Sequence, residues 1–546
     1  MKLAFILLAT VATGCGSKSS VSNTSDQFSG NHFLYLDRTD RQRIVSDLKD
    51  MVLDNYVLLS IKSEANIVAN PDQLFTEAIA NEAAVLDPPA NDEIALATAN
   101  LRFLDRTYEL IAKFKDTHFS ASAIVAIPRI LNGLELARVN GQVQIVGLRP
   151  QILSFVTLHA ANPADYQKIA AGVIVRSIDG ISADAAAAKL ATLVSASSPE
   201  FADARAVAGL SQRGRAYPEN SYSDWELQSL SGEIFTVRLP YFYAEAIARK
   251  DAQFYLRSKG FQSLKDLQLQ WNETSDAWAY NRSIPTSGYY PYDPINGMIG
   301  NTSWNAADDG KLGTEVLRTG YILRAGKAYG VLQIFGFSAH ELTLSTSGTP
   351  ENINTFASPI AAFVKALKGS ATPLIIDLRT NGGGDPMNSV SVLSAIAASN
   401  AVYPATTRAL RVTRVIRQMI DSDDLQNLPN FNQFDYDATA LAELRSAVAD
   451  HREYTRAFSL TSDITPDPRV GGYDQPVVAL ITPNCISACD GMSMLLRDSR
   501  RATLIGTHTN GTGAGFIGSG SFEDIQWHDR YEVLSLRIPK IGRAHV

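Results

Sequence analysis

With 546 residues the chain is too long for one hydrophobic core and is expected to divide into about three domains. Its 45% hydrophobic and 19% charged residues describe a globular protein, not a disordered one. A formal net charge of −7 argues against the basic face of a nucleic-acid binder, and nothing beyond residue 20 is long and apolar enough to span a bilayer.

The N-terminus reads as an export signal. Lys2 gives a short positive region, and Leu3 to Ala12 give an apolar run of signal-peptide length. Thr13-Gly14-Cys15 resembles the lipobox of bacterial lipoproteins, with Ala12 where an aliphatic residue is usual. The resemblance implies a signal peptide over 1–15, lipidation of Cys15 and anchoring in the bacterial cell envelope, periplasmic or cell-surface. Residues 16–35, rich in serine, read as a flexible tether. A plain signal peptide is the alternative, and it too exports the chain. The other cysteines, Cys485 and Cys489, are too few for a disulfide framework and lack the neighbours of a metal site. They are expected to be small packing residues; a bridge between them is the alternative, at the cost of straining a helix start. No metal and no cofactor are expected.

Residues 36–120 form a helical region. Ile44, Leu48, Met51, Val52 and Tyr56 recur at helical spacing, as do Leu101, Leu104, Tyr108 and Ile111. The second helix runs into Lys115-Asp116-Thr117-His118-Phe119-Ser120. Residues 121–240 switch to short β-type runs, including a strand in Gly172–Gly180 closed by an Asp-Gly turn. Residues 241–315 are rich in aromatics, Asn, Gly and Pro without a period, and read as an irregular insertion. From 316 strands and helices alternate. The strands are Tyr329–Ile334, Leu374–Ile376, Val477–Ile481 and Ala502–Ile505. Ser358-Pro359 opens a helix with Ile360, Phe363, Val364 and Leu367 on its apolar face, ended by Gly369. Continuous apolar strands flanked by helices imply an α/β domain whose sheet is covered on both faces.

Three segments carry candidate chemistry. Asp377-Leu378-Arg379-Thr380-Asn381-Gly382-Gly383-Gly384 follows a buried strand, and its glycines let the backbone turn sharply and present free N–H groups. It is not a phosphate loop, because no Gly-Lys-Ser/Thr follows. Ser487 sits where a strand turns into a helix, with the Ala488 amide at the helix's positive end, a place that suits an acyl-transfer nucleophile. A plain helix cap is the bland reading of the same serine. Asp116-Thr117-His118 ends an amphipathic helix and offers one of only eight histidines as a base near neutral pH. A capping or surface histidine is its bland reading.

Together these segments resemble the C-terminal-processing, or tail-specific, serine peptidases. Leu374–Gly384 resembles their strand-turn, Val478 to Asp490 their nucleophile region, Arg501–Gly511 the strand and loop that follow, and Gly172–Gly180 the late strand of their PDZ-like domain. The resemblance implies an α/β fold with a crotonase-like ββα catalytic domain over 316–546, a PDZ-like β domain over 121–240, and a base carried in 36–120. One branch of the family keeps a lysine in a Gly-Lys-Gly loop after the nucleophile, where this chain has Thr512. The branch typified by the tricorn core protease lacks that lysine and uses a histidine after a hydroxyl residue, a place filled here by Thr117-His118. The resemblance therefore implies Ser487 as nucleophile, His118 as base and Thr117 as its orienting hydroxyl. The amides of Ala488 and Gly384 would form the oxyanion hole, with Gly383 a near competitor for the latter.

That branch also carries a downstream glutamate. Glu532 is the nearest candidate and lies too early. The end, Ile541–Val546, reads as foreign to the chain, so the natural protein is expected to continue past Lys540 and His545 is set aside. The expected activity is peptide-bond hydrolysis of protein or peptide substrates through an acyl-enzyme. His508, in the loop where the other branch keeps its lysine, is the alternative base. Two other function classes stand beside this one: a catalytically inactive scaffold that binds a ligand or peptide, and a polysaccharide-active lipoprotein, which lacks paired carboxylates at any motif.

Overall fold

The computed structural model describes residues 35–124, 127–244, 249–269, 317–337, 357–384, 386–403, 407, 409–422, 438–458, 472–511, 514–515, 524–529, 533–539 and 541–542. Cys15 and its signal segment, Thr512, Glu532, His545 and most of the 241–315 insertion lie outside them.

The N-terminal region folds as four helices, α1 (Arg38–Asn55), α2 (Leu59–Glu64), α3 (Pro71–Ala84) and α4 (Glu93–Ala112). Their starts are written locally. Asp37, Asn70 and Asp92 each accept a backbone N–H of the first turn, and Pro71 occupies the first position of α3. Ile44, Leu48, Val52, Phe75, Phe103, Leu104 and Ile111 close one core, and Val533 and Leu534 from the far end of the chain join it. Strand β1 (Ser120–Ala123) explains that return: it pairs antiparallel with β20 (Leu534–Pro539), Ser120 opposite Arg537, and β20 pairs with β19 (Asp524–His528).

The middle region holds β2 (Ile130–Leu131), β3 (Leu134–Val139), β4 (Gln142–Leu148), α5 (Pro150–Leu158), α6 (Pro163–Tyr166), β5 (Ile174–Ile178), β6 (Ile181–Ser182), α7 (Ala183–Ala191), α8 (Pro199–Ser211), β7 (Gln212–Arg213), β8 (Tyr222–Gln228) and β9 (Ile234–Pro240). The main sheet runs β3-β4-β5-β8-β9, with β6 on β5 across the Asp179-Gly180 turn, whose residues both have positive φ. Strands β8 and β9 alternate strictly, turning Trp225, Leu227, Phe235, Val237 and Leu239 inward. Each such side chain contributes about 1.5–3 kcal/mol on burial. Strand β3 is the sheet's edge, and α8 packs beside it.

The irregular reading of 241–315 is corrected at its start. Strands β10 (Phe242–Tyr243) and β11 (Gln262–Ser263) flank a regular helix, α9 (Lys250–Ser258), which buries Ala252, Tyr255 and Leu256 against α4.

The C-terminal half is built on a five-stranded sheet of order β12-β13-β14-β16-β17: β12 (Leu317–Arg324), β13 (Lys327–Ile334), β14 (Leu374–Asp377), β16 (Val477–Ile481) and β17 (Thr503–Gly506). The β12/β13 pair is antiparallel and the rest are parallel. Helices α10 (Ser358–Gly369), α11 (Pro386–Ile396) and α14 (Ala488–Asp498) share one core with Leu332, Ile334, Leu374, Ile376, Val477 and Ala479. Alternate residues point the other way: Ile322, Val331, Ile375 and Leu480 form a separate small cluster that holds no helix residue among the described ones. The helices of this core thus lie on one face, while on the other Ile322 and Val331 are buried as well, as a sheet covered on both faces requires. Between β14 and β16 the chain also forms β15 (Ala409–Leu410), α12 (Arg414–Asp421) and α13 (Ala438–Ala449). β15 joins β18 (Ala514–Gly515) through β21 (Ile541–Gly542).

Candidate active site

Ser487 lies between β16 and α14 with φ +57° and ψ −122°, a conformation that a residue bearing a Cβ adopts only when its surroundings impose it. A capping serine would sit in extended backbone and accept a first-turn N–H. Ser487 makes no such bond. The bend is held from several sides. Cys489 N donates to Ile486 O at 3.1 Å, Gly491 N to Ser487 O at 2.9 Å, and Ser487 N to Gly511 O at 3.2 Å. The same bend brings the α-carbons of Cys485 and Cys489 to 5.1 Å, and the two form a disulfide that brackets Ser487. This corrects the reading of these cysteines as separate packing residues. That reading assumed a regular helix start, which the kink at 487 replaces.

The glycine turn meets Ser487 from the neighbouring strand. Asp377 anchors its start, accepting from Arg379 N at 3.1 Å and pairing with the guanidinium at 2.8 Å. The fully buried Asn381 accepts the Gly383 amide at 2.8 Å. Gly383 (φ +93°) packs so closely that a Cβ there would lie 2.9 Å from the Ser487 Cβ. Gly384 (φ +132°) pairs with Phe337 in a parallel bridge, with Phe337 N donating to Gly383 O at 2.8 Å. Among the described residues the Gly384 and Ala488 amides have no acceptor, whereas that of Gly383 is taken.

His118 comes from the other end of the chain. After α4 the backbone turns through Lys115 (φ +48°) into Asp116 and His118, both buried. Asp116 accepts the Tyr56 hydroxyl at 2.7 Å and the His118 main-chain N–H at 2.9 Å, and one carboxylate oxygen lies 4.0 Å from His118 Nδ1. Phe119 stacks on Tyr56 at 4.7 Å and meets Phe114 edge-on, fixing the segment in the helical core. Burial, then the Asp116 charge, pushes the Tyr56 hydroxyl well above its ordinary range, so it stays a donor to that carboxylate.

The Thr117 side chain faces the nucleophile region. Its hydroxyl accepts Ser197 N at 3.1 Å and donates to Asn510 O at 3.4 Å. Asn510 N donates in turn to Cys485 O at 3.0 Å. The base segment and the Ser487 turn are therefore joined through one residue. His508 is exposed, two positions before that joint. Asn510 and Ser197 were missed from sequence: the Asn510-Gly511 pair is an ordinary turn signal, and only the fold buries it.

A cleft of about 650 Å³ lies beside this turn, between β3, α8 and the catalytic half. Glu135, Arg138, Glu200 and Asp203 line one side, Asn484 and Thr507 the other. Arg138 is clamped by Asp203 and Asp184, each at 2.7 Å. Among the described residues no group of three His, Cys, Asp or Glu side chains is placed to hold a metal ion.

Residues 328–517 match the family model of Peptidase family S41. An S41 peptidase domain occupies this stretch. It spans the glycine turn, Ser487 and Asn510, and makes the chain a serine-type peptidase. No curated protein matches the chain in sequence. Among solved structures, mature CPAF complexed with lactacystin overlays with a TM-score of 0.61 at 15% identity, covering 93% of this chain and 90% of that one. At that identity the likeness establishes the mixed α/β fold, from the N-terminal helices through the S41 domain. The photosystem II D1 C-terminal processing protease (TM-score 0.33, 13% identity, 92% and 88% covered) and the tricorn protease (0.29, 10%, 92% and 32%) overlay too poorly to choose between the lysine and histidine branches.

Proposed function

We propose that the chain is an exported, lipid-anchored serine endopeptidase that cleaves protein or peptide substrates through an acyl-enzyme at Ser487. The observation that carries this reading is the imposed positive φ of Ser487, whose hydroxyl serves no cap and stands against the glycine turn of the S41 domain. His118 takes the hydroxyl proton as Ser487 attacks the scissile carbonyl and returns it to the leaving amine; water, activated by the same imidazole, then releases the acyl group. Thr117 serves the base by docking its segment onto Ser197 and Asn510. The oxyanion is held by the Ala488 and Gly384 amides, both without an acceptor among the described residues; one such donor is worth on the order of 3 kcal/mol of barrier.

The 121–240 region is read as PDZ-like, offering the β3 edge beside α8 for strand addition by an extended peptide, with the cleft leading toward Ser487. Cys15 is read as the lipid anchor that keeps the enzyme in the cell envelope. A fluorophosphonate probe should label the wild type and leave Ser487→Ala unlabelled. Labelling of that variant would reject the nucleophile, and ligand binding by an unreactive wild type would favour the inactive-scaffold reading.

A further inference from the structure

We propose that Asn510 is a positioning residue of this site, locking the His118 segment and the N-terminus of α8 onto the nucleophile turn. The proposal rests on Ser487 and His118 being the reacting pair. Asn510 is fully buried, and each of its main-chain and side-chain groups but one is committed to a different segment. Its Oδ1 accepts the amides of Ser197 and Ser198, each at 2.9 Å. Its carbonyl accepts the Thr117 hydroxyl, and its amide donates to Cys485 O at 3.0 Å. The next residue, Gly511 (φ +84°), accepts Ser487 N at 3.2 Å. Gly511 also lies so close to Ser197 that a Cβ would come 3.2 Å from the serine Cβ.

Three segments far apart in sequence thus meet on one carboxamide and its peptide units. They carry the base, the wall of the cleft and the nucleophile. None of the bonds reaches a reacting atom, so the residue acts through the geometry of the others. Of the polar groups of Asn510 itself, Nδ2 alone has no partner among the described residues. A residue retained for packing alone would gain from losing that buried donor, since an unpartnered polar group is costly to bury. Its acceptor oxygen is the part that the site uses.

The test replaces the side chain by an apolar one of the same branching and by one that keeps the acceptor. Asn510→Leu leaves the Ser197 and Ser198 amides without their acceptor, so it should fold with a lowered Tm, lower kcat about a hundredfold, as displacements near an ångström do, and leave KM within about twofold. Asn510→Asp, which keeps an oxygen opposite the Ser197 and Ser198 amides, should recover at least about tenfold of that loss. A kcat for Asn510→Leu within about twofold of the wild type overturns the proposal, as does a loss that Asn510→Asp fails to relieve. Should Asn510→Leu not fold, Thr117→Val decides: it removes the hydroxyl joining Ser197 and Asn510, and an undiminished kcat overturns the proposal. Ser487→Ala is labelled with the fluorophosphonate in parallel. A labelled Ser487→Ala rejects the underlying reading, whereas a silent one beside a fully active Asn510→Leu rejects the positioning role alone.

Discussion

Replacing Gly383 by alanine should damage catalysis and stability together, while the same change one residue earlier should do neither. A methyl at 383 would lie 2.5 Å from the Ile486 carbonyl oxygen, 2.9 Å from Ser487 Cβ and 3.3 Å from Ala488 N. Ordinary contact begins at 3.4 Å, so the carbonyl must give way by about 0.9 Å and the Ser487 Cβ by about 0.5 Å. Neither can move freely, since the disulfide and the Ser487–Gly511 bond hold the turn. Overpacking of this kind costs about 1–3 kcal/mol, and a Cβ at φ +93° adds roughly 1–2 kcal/mol. The displacement falls on the nucleophile and on one oxyanion donor, so kcat should drop by about a hundredfold. Gly382 has no atom within 4 Å of its would-be Cβ and is exposed, so Gly382→Ala should stay within about 0.5 kcal/mol and about twofold in rate. Active-site titration with a burst substrate and urea denaturation measure both quantities. A folded Gly383→Ala enzyme turning over within about threefold of the wild type would refute the packing argument, as would equal damage from Gly382→Ala.

Three more expectations follow from the same geometry. His118→Ala should abolish turnover while His508→Ala, at an exposed position, stays within about twofold; loss in the second alone would reverse the choice of base. The Cys485–Cys489 bridge closes a loop of five residues, worth roughly 2 kcal/mol by chain entropy, so reductant should lower the urea midpoint accordingly, and peptide mapping should find the two cysteines linked. Burial pushes the Tyr403 and Tyr473 hydroxyls up to about 12, against the opposing charge of Arg501. The unfolded chain ionises them near its ordinary value of 10, so stability should hold steady below pH 10 and fall between pH 10 and 12. A denaturation midpoint unchanged from pH 9 to 12 would contradict that burial.

Much of the catalytic half is legible in the chain. The apolar runs of β13, β14 and β16 are too continuous for one-sided strands, and the helix expected from Ser358 to Gly369 has those bounds in the structure. The Asp179-Gly180 hairpin is equally local, because both residues must accept positive φ. What failed to show are features made by contacts between distant segments. The apolar residues that helix α9 buries are Ala252, Tyr255 and Leu256 alone, too short a stripe among charged neighbours to stand out from the aromatic-rich stretch around it. The disulfide depends on a kink at Ser487 that no propensity scale encodes. Asn510 reads as half of a turn dipeptide, yet its partners lie 313 and 393 positions away. The order of segments placed a histidine and a serine as candidates; the joint that brings their segments together exists only in three dimensions.

The most direct test of the account is a crystal structure of the enzyme inactivated by a peptidyl phosphonate. The account predicts phosphorus on Ser487 Oγ, the phosphonyl oxygen held by the Ala488 and Gly384 amides, and the His118 imidazole within hydrogen-bond reach, about 2.6–3.2 Å, of the serine oxygen. An adduct on another residue, or His508 in that place with His118 turned away, would contradict it.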